Sequence, residues 1–291
     1  MKLSAIISTL GRQAELDVLF RSLEAQTFRD FEVIIIDQND DDRLSFLDNA
    51  AFSFPISRIH TPKERGLSIG RNRGLEFAKG EFIVFPDDDC WYPEDLFARA
   101  IDAMESKSLD GLTGRAANES GQSINGRFET KTQTVTRQNV WTTQIEWMAF
   151  FRRDLLEMLG GYDPVIGVGA ASPWQACEGQ EIVLRALEKD ANIVFDPSMY
   201  GHHESLYSRR PSSQLIRKSR NYARGHGRVL KMHGYSWAHM GFWVVRPILK
   251  AAFNLMRFRP ALAEQAANVA IGRAEGYFDT SPIRKHSAER A

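Results

Sequence analysis

Short, mainly apolar runs that stop at polar or acidic residues constrain this chain more than any other feature. LSAIIST (3–9) ends at Thr9 and FEVIIID (31–37) ends at Asp37. EFIVF (81–85) runs through Pro86 into Asp87, Asp88 and Asp89. Apolar runs of this length without alternation are strands covered on both faces, the habit of parallel strands with helices above and below. Between them, the segment from about Gln13 to Ala25, LSIGRNRGLEFA and PEDLFARAIDAME read as helices. ISRIHT reads as a weaker third strand and ANIVFDP as a last one. The expected fold class is α/β of the Rossmann-like, doubly wound kind, a mostly parallel central sheet flanked by helices. Ligands of such sheets sit outside the carboxyl ends of the strands, where Thr9, Asp37 and the three aspartates all fall.

With 291 residues, 43% of them hydrophobic and 25% charged, the chain can bury a substantial core, and a mainly disordered protein is excluded. The formal net charge is zero, but the charge is unevenly spread. From Ser205 to Ala263 there is no Asp or Glu, against twelve Lys or Arg. Cys90 and Cys177 are far apart and lack metal-site spacing, so a reducing cytoplasm is expected rather than a structural disulfide. MKLSAIISTLGRQ shows no cleavage-site pattern and reads as a first strand rather than a signal peptide. No apolar run is long enough to span a bilayer.

Residues 117–140 are polar and without clear period, and are expected to form a mobile loop. IEWMAFFRRDLLEMLGGYD returns to a strand and a short helix ended by Gly160 and Gly161, and EGQEIVLRALEKD is a helix before the last strand. From Pro211 onward the chain is helix-like and basic, then Ala-rich. A boundary near Tyr207 therefore separates a 1–207 α/β domain from a 208–291 C-terminal helical extension.

Three adjacent carboxylates at a strand end repel one another unless something neutralises them. Hard oxygen ligands suit Mg²⁺ or Mn²⁺, and Mg²⁺ takes only one or two protein carboxylates before completing its shell with water and substrate phosphates. Along an extended chain, alternation sends Asp87 and Asp89 to one side and Asp88 to the other. The competing reading is a solvated turn whose acids favour the next helix, which Pro93, Glu94 and Asp95 open well.

In order along the chain, STL, IIIDQND, GLSIGRNRGLEFAKGEFIVFPDDDCWYP, LGGYDP and EGQEIVLRALEKDANIVFDPSMYGHH resemble the family 2 glycosyltransferases of GT-A fold, over residues 2–204. The resemblance implies an inverting transferase that moves a sugar from a nucleoside-diphosphate sugar to a hydroxyl of a glycan or lipid-linked acceptor, in bacterial surface polysaccharide or glycolipid assembly. It implies that Ser8 and Thr9 line the donor site, that Asp37 meets the nucleobase or ribose, and that Arg71 and Asn72 lie near the nucleotide. The aspartates would hold Mg²⁺ or Mn²⁺ against the diphosphate, Asp89 as main ligand with Asp87 or Asp88 supporting. One histidine after the last strand would complete the metal or diphosphate site. Alternation lets only one of His202 and His203 point there, and His203 is the first choice. Two positions of the donor-side motifs depart from the family pattern. Gln38 stands where an acid usually follows Asp37, and Pro86 occupies the first slot of the usual Asp-x-Asp.

Displacement at an anomeric carbon needs the acceptor hydroxyl to lose its proton as it attacks. The family commonly supplies the base from the second slot of a Glu-Asp type motif at the start of the helix before the last strand. Those slots hold Glu178 and Gly179 here, and glycine cannot serve. Glu178 is the candidate base, with Glu181 as the alternative or as its orienting partner, unless both acids merely favour the helix N-terminus. Trp174 either stacks on an acceptor sugar or packs as an ordinary tryptophan. Two other functions compete: a nucleotidyltransferase on the same fold, and a sugar-nucleotide sensor or membrane partner that has lost its base.

Nucleic acid is not the expected partner of the basic tail, because aromatic residues are not interleaved with its cations. GFWVVRPILKAAFNLMRFRP places Arg246, Lys250, Asn254 and Arg257 on one helical stripe, with Trp243 and Phe253 on the apolar side. That pattern suits a helix lying in a membrane interface, here the inner face of the cell membrane. It equally suits a helix packed on protein with the stripe in water. Pro247 argues against a straight spanning helix.

Overall fold

The computed structural model describes residues 1–205 and 207–280. Leu206, within the expected 1–207 domain, and residues 281–291 of the expected extension lie outside the described residues. The chain divides into two compact units. The first runs from Met1 to Tyr162 and resumes at Ile182 through the last strand; the second joins Asp163–Glu181 to the C-terminal helices.

In the first unit, β1 (Leu3–Thr9) pairs in parallel with β2 (Phe31–Asp37) on one side and with β4 (Phe82–Val84) on the other, and β2 pairs with β3 (Ile56–His60). Every residue of β1 and β2 is buried, which is why neither alternates. Their register sets Thr9 opposite Asp37, so the polar residues that stop the two apolar runs meet at one edge. Helix α1 (Ala14–Glu24) buries Leu16, Leu19, Phe20 and Leu23. Helix α2 (Leu67–Leu75) has little apolar face and docks by close approach instead. A Cβ on Gly70 would lie 2.0 Å from Ser8 Oγ, and one on Gly74 would lie 2.1 Å from Ile6 Cγ2. Helix α3 (Leu96–Ser106) buries Leu96, Phe97, Ala100, Ile101 and Met104, with Phe97 edge-on to Phe31 at 5.3 Å.

Beyond β4 the sheet becomes mixed. Its further strands are β5 (Cys90–Trp91), β6 (Gly111–Ala117), β7 (Gln133–Thr134), β8 (Ala149–Arg152) and β9 (Ile193–His203). The order is β3-β2-β1-β4-β8-β6-β9-β5, with β7 also on β9, and β5, β7 and β8 run against the rest. The strand β6 has no counterpart in the apolar pattern because it is built on backbone contact. A Cβ on Gly114 would come within 2.2 Å of the Met199 carbonyl oxygen, and the register shifts there. Residues 117–140, expected as a loop, include β7 and the buried Val135 and Val140. Helix α4 (Arg153–Leu159) ends, as its Gly-Gly suggests, on Gly160 at φ 71°.

Helix α5 (Glu178–Leu187) contributes its first turn to the second unit. That unit is completed by α6 (Ser213–Met232), α7 (Trp237–Met256) and α8 (Pro260–Phe278). Ser212 and Ser236 cap α6 and α7 by accepting from the backbone N–H three residues on. Between α6 and α8, Glu275 accepts from Arg224 Nε at 2.7 Å and also from Arg220. Inside α7, Pro247 cannot donate to the carbonyl of Trp243, and Arg273 Nη1 on α8 takes that oxygen at 2.6 Å. The same guanidinium lies 5.1 Å from the Trp243 ring. This corrects the expectation for α7 at two positions, Trp243 on the apolar side and Asn254 in the polar stripe. Trp243 turns to α8, drawn by Arg273, and Asn254 is buried, its Nδ2 donating to the Lys250 carbonyl.

Candidate functional site

The chain does not stay extended after β4. Cys90 N–H donates back to the Asp87 carbonyl, closing a turn, and β5 then pairs with β9 so that Cys90 faces His203 and Trp91 faces His202. This ladder brings Asp89 against His203, with Nε2 3.1 Å from Oδ1. The imidazole is held by the Trp147 ring, 6.0 Å away and near parallel, and its Nδ1 meets the Glu204 carbonyl at 2.7 Å. His202 points the other way, onto Trp91. The simple alternation expected for the aspartates does not hold, because residues 87–90 form a turn. Asp88 and Asp89 share one cation: Arg12 reaches Asp88 Oδ1 through Nε at 3.2 Å and Asp89 Oδ2 through Nη2 at 2.8 Å. Thr9 Oγ1 donates to the other Asp88 oxygen at 2.7 Å.

Asp87 turns to a different cation. Arg71 is only 1% exposed; its Nη2 donates to Asp87 Oδ1 at 3.2 Å, and its guanidinium lies 5.2 Å from the Tyr162 ring and 5.8 Å from that of Phe85. Asn72 accepts from Tyr162 N–H at 2.7 Å and donates to its carbonyl at 2.8 Å. Gly161 sits at φ 74°, and a Cβ there would lie 2.5 Å from Asn72 Oδ1. The Arg-Asn pair thus fixes protein groups: Asn72 places Tyr162, Tyr162 flanks Arg71, and Arg71 holds Asp87. Ser8 lies directly beneath Gly70.

Asp37 is fully enclosed. Its Oδ1 accepts from Asn39 N–H at 3.0 Å and Asn39 Nδ2 at 2.7 Å, and its Oδ2 from Arg58 Nε at 2.8 Å. Gln38, in the place of the usual acid, donates through Nε2 to the carbonyl of Gly66, the residue that caps α2. A carboxylate has no hydrogen to give there.

Burial is the main reason the Asp88 carboxyl is pushed up to about 7, with Asp87 and Asp89 acting in the same direction; the Thr9 hydrogen bond and Arg12 hold it back. Burial also acts on Asp89, but the His203 hydrogen bond and the charges of His203 and Arg12 outweigh it and hold the group below the usual carboxylate range. For His203, burial is likewise overcome by Asp89, and the imidazole is shifted upward. Among the described residues, no three His, Cys, Asp or Glu side chains converge as a preformed metal cage. The converging oxygens of Asp88 and Asp89 with the Asp89–His203 contact nevertheless match a divalent cation that takes few protein ligands, and a cation already bridges the two acids in the form of Arg12.

In the second unit, Glu178 and Glu181 open α5, three residues apart, and are 4% and 2% exposed. Glu181 Oε1 lies 3.8 Å from Nε2 of His233, the residue that caps the C-terminus of α6. Trp174 is buried with the Arg228 guanidinium 5.4 Å from its ring, so stacking on a sugar would require Arg228 to move aside. Residues missed in the sequence are single basic or aromatic side chains: Arg12 and Tyr162 in connecting segments and Arg58 on β3. Only the demand for a counter-charge near three aspartates could have singled out Arg12. In chelator, Asp88→Asn is expected to melt higher than the parent by an increment that grows from about pH 4 to about pH 7 and then levels off. The reason is that the parent takes up a proton on folding between 3.8 and about 7 and loses that stability as pH rises. A flat difference across that range, followed by calorimetry, would show that Asp88 is not a buried, costly charge.

The glycosyl transferase family 2 model matches residues 4–160, more than half of the chain. An uncharacterized glycosyltransferase of Haemophilus influenzae is 31% identical over 144 residues, which cover 49% of this chain and 47% of that protein. The GalNAc(5)-diNAcBac-PP-undecaprenol beta-1,3-glucosyltransferase of Campylobacter jejuni is 26% identical over 180 residues, covering 54% and 53%. The chain thus spans about half the length of these curated relatives. Among solved structures, the mannosyltransferase PcManGT from Pyrobaculum calidifontis, in complex with GDP-Man and Mn²⁺, matches with a TM-score of 0.67 at 13% identity. That match covers 96% of this chain and 88% of the other, a likeness of fold. The mixed sheet, the acidic turn at its strand ends and a family match running from β1 to the end of α4 agree: the chain belongs to glycosyl transferase family 2 and has the GT-A fold.

Proposed function

We propose that the protein is an inverting, metal-dependent glycosyltransferase that moves a sugar from a nucleoside-diphosphate sugar to a hydroxyl of a glycan or lipid-linked acceptor. On this reading it works in the cytoplasm, at the inner face of the cell membrane, in assembly of a bacterial surface polysaccharide or glycolipid. The observation that carries it is the Asp87–Asp89 turn, tied by β5 to His203 at the strand ends and already gathering a cation. The neighbour bound to GDP-Man and Mn²⁺ supports the donor class and the metal, and the relative named for a PP-undecaprenol glycan supports a lipid-linked acceptor.

Asp89 and His203, supported by Asp88 or Asp87, are the residues that would hold Mg²⁺ or Mn²⁺, and Thr9 keeps Asp88 turned toward them. Bound there, the metal would neutralise charge developing on the departing diphosphate. Arg71 stays beneath the turn and fixes Asp87. Glu178 is assigned the acceptor proton, with Glu181 as alternative or orienting partner; loss of that proton lets the acceptor oxygen bond the anomeric carbon as the bond from that carbon to the diphosphate oxygen breaks and the nucleoside diphosphate leaves. A donor-binding protein without turnover is the second reading, favoured by Gly179 in the usual base slot and by the burial of Glu178.

A thermal-shift screen of nucleoside diphosphates and their sugars should find one donor that raises the melting temperature with Mn²⁺ and loses its effect in chelator. No stabilising donor, or one indifferent to chelator, would remove the metal from the proposal. Glu178→Gln should keep that donor shift and lower turnover by about 10²- to 10⁴-fold; unchanged turnover would strip Glu178 of its role. Arg12→Met should raise the affinity of the donor-free protein for Mn²⁺ by roughly tenfold, read from the electron-paramagnetic signal of free Mn²⁺. Weaker binding would mean that Arg12 does not compete for the carboxylates.

A further inference from the structure

Helix α7 turns its most apolar surface outward. Phe242, Val245, Leu249, Phe253 and Met256 follow one another at spacings of three or four and are all exposed, Leu249 to 63% and Met256 to 72%. The face turned inward is carried by Met240, Pro247 and Asn254, each seven residues from the next. A packed helix does the reverse, hiding its apolar row and wetting its polar one. A row of this kind on a surface marks an interaction site.

Beside the apolar row runs a row of cations. Arg246, Lys250 and Arg257 are exposed, and two of them lie along the aromatic rings four residues back. The Arg246 guanidinium is 5.1 Å from the Phe242 ring, and that of Arg257 is 5.4 Å from the Phe253 ring. Long cationic side chains laid along apolar neighbours with their charge at the edge are the arrangement that lets a helix sink to the boundary of headgroups and acyl chains. No Asp or Glu occurs between Ser205 and Ala263 to neutralise this row from within its own segment. No helix among the described residues is long and apolar enough to cross a membrane, so α7 can lie in a bilayer but not span it.

We infer that the outward face of α7 is a docking surface for an anionic lipid bilayer: the apolar row enters the acyl boundary and Arg246, Lys250 and Arg257 meet lipid phosphates. The charge row selects this occupant over a second copy of the chain. Two such faces pressed together would bury apolar surface but bring cations to cations, with no acid on either helix to separate them. Headgroup phosphates supply the missing negative charge. The inference rests on the peripheral placement proposed above, and not on the transfer reaction.

The test is co-sedimentation of the full chain with vesicles of phosphatidylcholine alone and of equimolar phosphatidylcholine and phosphatidylglycerol. The protein should pellet with the anionic vesicles, remain in the supernatant with the neutral ones, and be released by salt. Arg246→Gln, Lys250→Gln and Arg257→Gln together should weaken binding about a hundredfold, at roughly fivefold for each cation. Leu249→Asn with Phe253→Asn should abolish it. All five positions are exposed, and an unchanged helical signal with an unchanged donor-induced thermal shift would show that both variants fold. Equal binding to neutral vesicles, or no binding to either, overturns the inference. So does a dimer in solution that Leu249→Asn with Phe253→Asn dissociates. Vesicle binding without any donor shift would sink the transferase reading and leave this one standing; a donor shift without vesicle binding would do the opposite.

Discussion

A buried guanidinium holds the acidic turn in place. Arg71 is almost without solvent, and moving such a charge out of water costs several kcal/mol unless partners surround it. Asp87 and the rings of Tyr162 and Phe85 are among those partners. Everything that positions Tyr162 therefore also positions the acids: the hydrogen bond it accepts from Asn72 and the one it donates to Asn72, and a glycine at 161 that lets the backbone approach Asn72 closely. A chain of packing and hydrogen bonds thus runs from the end of α4, through α2, to the carboxylates at the sheet edge.

Asp88 pulls against stability. Asp88 is buried beside two like charges, and without a donor molecule its relief comes from Thr9 and Arg12. Asp89 is better provided for, with Arg12 on one oxygen and His203 on the other. A fold selected only for stability would not crowd three aspartates at one turn. The cost that burial places on Asp88 is the kind expected where a site is built for binding rather than for stability.

Much of the first unit was legible in the sequence because its strands are buried on both faces. β1, β2 and the start of β4 announce themselves as short, mainly apolar runs, and α1 and α3 by the spacing of their buried residues. The strand β6 was illegible because glycines let its backbone touch β9, and contact of that sort leaves no apolar signature. Period-two reasoning sets His202 and His203 on opposite sides, since both lie on a true strand, and fails for the aspartates, since they lie on a turn. Asp37 was correctly placed at a strand end, but its enclosure by Asn39 and Arg58 depends on residues distant or unremarkable in sequence. On α7 the periodicity revealed a charged row without revealing which face is turned outward. Only the packing against α8, where Arg273 takes the carbonyl freed by Pro247, settles that.

The short ladder between β5 and β9 also fixes a length. Because neighbouring residues of a strand face opposite sides, adding or deleting a single residue between β4 and β5 would slide the pairing by one and present the wrong imidazole, that of His202, to the carboxylates. Connecting segments at a protein's surface usually tolerate such insertions. This one acts as a ruler: it is fixed in length as well as in the carboxylates it carries.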